Sequence, residues 1–206
     1  MDKLEKFALT LQKFVPDGFQ YHLAKLIVQG QVKFKIVNGR KTKLGDFRVS
    51  SSLELPVITV NGDLNKYSFL ITALHELAHL HAFKKFGLRI SPHGEEWKKE
   101  YRNLLLPIVN SKILPLDIEN ALLKSILKTK AASCSDIQLS RVLKNYDKIT
   151  ENTSFHLEEI EEGLSFSLNG KLFIKGKLRR SRYLCYELGT NKPYLIHRLA
   201  QIKLHQ

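Results

Sequence analysis

This sequence has only two cysteines in 206 residues, Cys134 and Cys185, and neither belongs to a Cys-x-x-Cys pair. A disulfide framework and a four-cysteine zinc ribbon are therefore excluded, and both cysteines read as small core residues. Also missing is any apolar stretch approaching the ~18 residues of a membrane span, because the longest candidates are broken by Lys or Asp. No membrane partner is expected. The start, MDKLEKFALTLQKF, alternates charged with apolar residues and lacks the apolar core and cleavage site of a signal peptide. It reads as an amphipathic helix, and the expected location is cytoplasmic. Acidic residues are few as well: 20 Asp+Glu against 33 Lys+Arg leave a formal charge of +13. Such a surface concentrates polyanions, so nucleic acid is the expected partner, although net charge alone carries no address. No internal repeat and no low-complexity tract interrupts the chain.

What is present is an ordinary globular composition, 43% hydrophobic and 26% charged, enough for one well-buried core and a small second module. Pro16-Asp17-Gly18 marks a turn, and Phe19 to Gln29 reads as a helix that Gly30 ends. Val32, Phe34 and Ile36 then alternate with Gln31, Lys33 and Lys35, a half-buried strand, and Asn38-Gly39 signals a hairpin after it. Phe47 to Ser51 and Val57 to Val60 read as further strands of a small antiparallel sheet. Asn65 to Phe86 reads as one long, largely buried helix, capped by Asp63 or Asn65 and terminated by Gly87 in the left-handed conformation. Ser91-Pro92 opens the next helix, which carries Trp97 and Tyr101 at helical spacing toward Pro107. Pro107 and Pro115 bound a connector. Helices over 116–128 and 136–144 follow, and beyond Asn152 the chain is strand-like, with turns at Glu162-Gly163, Asn169-Gly170 and Gly189-Thr190. The expected fold class is α+β, divided into a core over 1–110, a helical connector over 111–150 and a C-terminal all-β module over 151–206.

Residues 75–97, HELAHLHAFKKFGLRISPHGEEW, carry the chemistry. Residues four apart on a helix differ by about 40° of azimuth, so His75 and His79 project from one face and can converge on a single ion. Glu76 is offset from that pair, too far round to ligate with it yet close enough to take a proton from water, the position of a general base. As satisfied core histidines, the pair and its glutamate would leave several buried polar groups without a partner. Two imidazoles hold zinc poorly, so a third protein ligand is required, with the fourth position open. The metzincin extension needs Gly and His where this chain has Ala82 and Lys85, which excludes that class. His93 stands first among the candidates, in the first turn of the next helix, which a break at Gly87 lets fold back. Glu95, Glu96 and Glu100 are the alternatives. His81 points about 200° away from His79 and reads as a packing or surface residue.

HELAH followed by SPHGEEW resembles the His-Glu-x-x-His … His-Gly-x-x-Trp signature of the SprT-like, or Spartan-like, zinc metallopeptidases, and TKLGDFRVSS resembles the short basic-aromatic strand that enters their fold. The likeness covers roughly residues 18–105, and the segment from Glu158 to Ile202 resembles the C-terminal β module of bacterial proteins of this type. The resemblance implies a zincin-like core, one zinc ion held by His75, His79 and His93, Glu76 as the catalytic glutamate, and a protein or peptide substrate. In Spartan-like relatives that substrate is protein attached to DNA. The four-cysteine ribbon that ends many SprT-like proteins is missing here, so its DNA-binding role does not carry over. A nucleic-acid-binding protein with a structural zinc and no peptidase activity is the alternative function, and a third is an interaction protein whose C-terminal module recruits a partner. Tyr101 is a conceivable oxyanion donor, although a core aromatic fits its pattern better.

Two basic clusters are candidates for DNA contact. The first is Lys171, Lys175, Lys177, Arg179, Arg180 and Arg182, interleaved with apolar residues on a hairpin that Asn169-Gly170 would turn. The second is Lys33, Lys35, Arg40, Lys41, Lys43 and Arg48, ahead of the histidines. Solvated strand faces whose lysines protect sheet edges are the plain reading of both.

Overall fold

The computed structural model describes residues 1–40, 42–50, 54–127, 137–147 and 155–205. They form two compact units, Met1–Asp147 and Lys148–Gln206. Helices and one small sheet share the first and a single larger sheet dominates the second, so the class is α+β. No described helix is long and apolar enough to cross a membrane.

In the first unit, α1 (Lys3–Leu11) and α2 (Gln20–Gln29) lead into β1 (Lys33–Val37), β2 (Gly45–Arg48) and β3 (Val57–Asn61). The Asp2 and Glu5 side chains close a capping box at the start of α1, which satisfies two of its orphan amides. The strands lie in the order β1-β3-β2, β1 parallel to β3 and β2 antiparallel to it. Asn38-Gly39 therefore turns no hairpin, and the sheet is mixed rather than antiparallel. A Cβ on Gly39 would lie 1.8 Å from the Asp63 carboxylate, so this glycine is used for close approach to a residue distant in the chain rather than for a hairpin turn, and β3 lies in the middle.

Behind the sheet runs α3 (Lys66–Phe86), with twelve buried residues. Asn65 caps it, its side chain accepting from Ser68 N at 2.9 Å. The same amide donates to Leu143 O and Asp147 Oδ1. Phe69 stacks on Phe14 and packs edge-on to Phe34, and Ile58 and Val60 of β3 are fully buried in the same core. Gly87 ends the helix with φ +75° but ψ −161°. It is thus outside the left-handed helical well, and the chain runs directly into a 3-10 turn over Gly87–Arg89.

The next helix, α4 (Glu95–Asn110), starts later than Ser91-Pro92 suggests. Gly94 N donates to Ser91 O at 2.9 Å, so Pro92 takes the second corner of a β-turn and His93, with φ +60°, takes the third, the pattern of a type II turn. His93 precedes the helix instead of lying in its first turn. Pro107 is inside α4. Its cost of about 3 kcal/mol is offset by carrying the helix on to Ile108 and Val109, both buried, at roughly 1.5–3 kcal/mol each. The helices α5 (Leu116–Leu127) and α6 (Ile137–Lys144) share the core of this unit through Ile118, Leu122, Leu139 and Leu143.

In the second unit β4 (Phe155–His156), β5 (Ser165–Leu168), β6 (Lys171–Arg179), β7 (Arg182–Glu187), β8 (Pro193–His197) and β9 (Gln201–Leu204) form one sheet ordered β4-β9-β5-β6-β7-β8. Asn169 and Gly170 both have positive φ and turn the β5–β6 hairpin, the geometry a primed turn demands. Leu157, Phe166, Phe173, Cys185 and Ile202 fill the core. Cys185 is a buried free thiol, as its composition reading has it, whereas Cys134 lies outside the described residues.

Candidate metal centre

His75 and His79 extend from adjacent turns of α3, and the turn before α4 returns His93 onto them. The Nε2 atoms of His75 and His79 are 3.3 Å apart, and that of His93 is 3.1 Å from each. Mutual hydrogen bonds cannot explain this triangle, because the Nε2 of a neutral imidazole is either a donor or an acceptor, so at least one of the three edges sets two N–H groups or two lone pairs against each other. A metal can. Nitrogens bound at ~2.0–2.1 Å in a tetrahedral set lie ~3.3 Å apart, close to the observed edges. The three residues have the donors and the spacing to hold one metal ion.

Trp97, fully buried in the first turn of α4, forms the wall against which the imidazoles rest. Its ring lies 4.6, 5.2 and 4.7 Å from those of His75, His79 and His93. Tyr101 stacks beneath it at 4.8 Å and meets the His75 ring at 5.7 Å, so it is a packing aromatic of the site. On the opposite side Phe47 of β2 lies flat against His79 at 6.2 Å. Burial, with the neighbouring imidazoles adding to it, pulls His75 down to about 3 and His79 to about 4, and burial lowers His93. All three are therefore neutral near neutral pH, the form that ligates.

Glu76 is buried beside β2. A Cβ on Gly45 would come within 2.6 Å of its Oε1, so only glycine lets the strand lie this close. Burial first, and then the charge of Asp46, push the Glu76 carboxyl up to about 8, with Arg40 and Lys43 opposing. Arg40 and Lys43 are held in place by Asn61, which is 1% exposed. Its Nδ2 donates to the carbonyls of Arg40 and Lys43, its Oδ1 accepts from Arg40 Nε at 2.8 Å, and its own backbone N–H donates to Leu44 O.

Of the residues chosen from the sequence, His75, His79 and His93 come together as a possible metal set with Glu76 next to His75 on α3, whereas Gly45, Asp46 and Asn61 were not among the candidates. Glycine inside a strand was the available signal for Gly45, while the contacts of Asn61 reach residues about twenty positions away, which no short window shows. Two of the three glutamate alternatives are engaged elsewhere. Glu95 pairs with Lys98, and buried Glu100 pairs with Lys85 at 2.7 Å and faces His81. His81 belongs to that pair, away from the triangle.

The basic clusters are only partly available to a ligand. Lys175 is 4% exposed: it donates to Ile160 O at 2.5 Å and sits 3.9 Å over the Tyr183 ring. Its position follows from the pleat, which turns Phe173 and Lys175 to the same face. Lys171 pairs with Glu187. Lys177, Arg179, Arg180 and Arg182 are exposed. In the second cluster Lys33 and Lys35 are exposed, Arg40 is bound to Asn61 and Thr59, and Lys43 and Arg48 both pair with Asp46. Lys41 lies outside the described residues.

No family model matches the chain, and no solved structure matches it. Among curated proteins it is similar to Protein SprT of Klebsiella pneumoniae (strain 342), 31% identical over 111 residues that make up 50% of this chain and 64% of that protein. The match thus spans less than two thirds of the relative. Together with the HELAH … HGEEW spacing that brings three imidazoles to one point, this relative supports a SprT-like family for the chain.

Proposed function

We propose that this chain is a zinc-dependent metallopeptidase of SprT-like type with a zincin-like core, acting in the cytoplasm on proteins associated with or cross-linked to DNA. The observation that carries the proposal is the convergence of His75, His79 and His93 on one point beside a buried glutamate that is not among the ligands. A zinc ion held by the three histidines would supply Lewis acidity toward a peptide carbonyl and toward water. Glu76 takes a proton from the attacking water and delivers it to the leaving amine, a task suited to a carboxyl whose affinity for protons is raised toward neutrality. A bound dication would pull that affinity back down. β2 is an edge of its sheet, and its Phe47 rests on His79, so an extended peptide adding to that edge passes the histidines.

DNA enters this proposal through the charge of +13 and the exposed Lys177, Arg179, Arg180 and Arg182 on the second unit. The decisive experiment measures zinc content of the purified chain alongside hydrolysis of a protein substrate with and without DNA, in wild type and in Glu76→Gln. One zinc per chain with hydrolysis that Glu76→Gln abolishes supports the reading. Stoichiometric zinc with no hydrolysis under either condition would favour a structural metal and a nucleic-acid-binding role.

A further inference from the structure

Beside the triad is a cavity of about 200 Å³ that the chemistry above does not use. Thr72 and Tyr101 open it toward the site. Tyr101 is the aromatic that meets His75, and Thr72 Cγ2 faces Gly45 together with the Glu76 carboxyl. Leu44, exposed and one residue before Gly45, stands at the same side. Ile71, Leu139 and Leu143, all buried, complete the apolar wall, and the small side chains of Ser125 and Ser140 leave the space unfilled. Five of the twelve lining residues come from α5 and α6, beyond the segment that bears the family signature.

We infer that this cavity receives one large apolar side chain of the substrate, leucine or an aromatic residue, adjacent to the bond that is cut; the inference rests on the peptidase reading. Size sets the occupant, since a cavity of about 150 Å³ lined by aliphatic residues accommodates benzene. Lining chemistry sets it too. Asp147, one of the two charged residues present, already accepts from Asn65 at 2.5 Å, and the other, Lys144, has a partner within the fold. What is left to meet a ligand is aliphatic and aromatic carbon with small hydroxyls. An empty apolar space of this size weakens packing around it, which fits a surface kept for a ligand. Continuity with Thr72 and Tyr101 places the occupant within one side chain's reach of His75 and Glu76.

The test uses the zinc-loaded full chain and a set of fluorescence-quenched peptides that differ at single positions flanking the scissile bond. At one position Leu or Phe should exceed Ala by at least about tenfold in kcat/KM, the discrimination an apolar pocket gives. Two variants fill the cavity, Ser125→Leu and Ser140→Phe, the second guarding against misfolding of the first at its buried site. In either, the Leu or Phe advantage should fall about tenfold or more relative to the Ala peptide. Peptide cleavage that is indifferent at every position, or a preference unchanged in filled variants that melt like wild type, overturns the pocket and leaves the peptidase reading standing. A chain that cleaves no peptide with or without DNA sinks the peptidase reading, and the cavity is then judged by indole binding to the metal-free protein. Saturable amide shifts at Thr72, Tyr101 and Ser125 that vanish in the filled variants support an aromatic-sized pocket, and an indole titration without such shifts overturns it.

Discussion

The Nε2 atoms of His75 and His93 lie 3.1 Å apart, although one belongs to the middle of α3 and the other to the turn that precedes α4. That contact makes a two-residue motif into a three-ligand site, and it predicts that His93→Ala lowers zinc content far below one ion per chain, since the remaining pair holds the metal weakly. Glu100→Gln, by contrast, should keep full zinc while losing stability, because its carboxylate serves Lys85 and His81. Metal analysis of the two purified variants decides. Full occupancy in His93→Ala would remove this residue from the site.

Glu76→Gln should retain zinc and lose hydrolysis by about 10²–10⁴-fold, the usual worth of a general base. The same substitution has a signature in the metal-stripped protein. The folded-state pKa of Glu76, about 8, lies above its ordinary value of 4.5. Below pH 4.5 the group is protonated in both states and costs nothing. As pH rises toward 8 the unfolded chain releases the proton and the native one does not, so stability falls by up to about 1.4 kcal/mol per pH unit across that window. The histidines act oppositely, since their lowered values weaken the fold as pH drops below 6.5. Melting temperatures of the stripped proteins should therefore show Glu76→Gln gaining on wild type from pH 4.5 to pH 8, and a constant difference would contradict the burial of this carboxyl.

Much of this was readable in one dimension. The histidine spacing, Asn65 as a cap, the course of α3 and the hairpin at Asn169-Gly170 depend on local geometry, which a short window of sequence expresses. What the sequence concealed depends on partners distant in the chain. Asn38-Gly39 has the residues of a hairpin, yet its strand pairs with β3 and Gly39 is pressed against Asp63. Pro107 looked like a boundary, but tertiary burial of Ile108 and Val109 carries the helix through it. Lys175 looked like surface charge, and only the acceptor at Ile160 O and the Tyr183 ring explain why a lysine is inside. Asn61 ends β3, and nothing near it in the chain shows that its buried amide organises the loop that presents β2 to Glu76.

Gly45→Ala tests that presentation. The added Cβ would lie 2.6 Å from Glu76 Oε1 and 2.8 Å from Thr72 Cγ2, so either the strand or the carboxyl has to move. Overpacking of this kind costs about 1–3 kcal/mol, and a displacement near 1 Å at a reacting group can cost about 10²-fold in rate. Zinc should stay bound, because the histidines do not touch this strand through Gly45. Comparing kcat/KM, zinc content and melting temperature separates the effects. Wild-type turnover in Gly45→Ala would mean that β2 does not position Glu76.

The last prediction concerns the second unit's positive charge, which the fold divides into two kinds. Lys177, Arg179, Arg180 and Arg182 are exposed near the β6–β7 turn, free to follow a phosphate backbone. Lys175 shares their sequence neighbourhood but is committed inward to Ile160 O. Each phosphate contact contributes nearly one unit to the slope of log affinity against log salt. Charge reversal at Arg179, Arg180 and Arg182 should accordingly weaken DNA binding at every sequence and lower that slope by up to roughly one unit per residue. Lys175→Met should leave the slope alone and destabilise the unit instead, by about 1–3 kcal/mol, because a buried carbonyl loses its donor. Titrations of duplex DNA at several salt concentrations, paired with thermal melts, read both outcomes. An unchanged slope in the triple variant would assign its charge to protection of the sheet against edge-to-edge association. A reduced slope in a normally stable Lys175→Met would place that lysine outside the core.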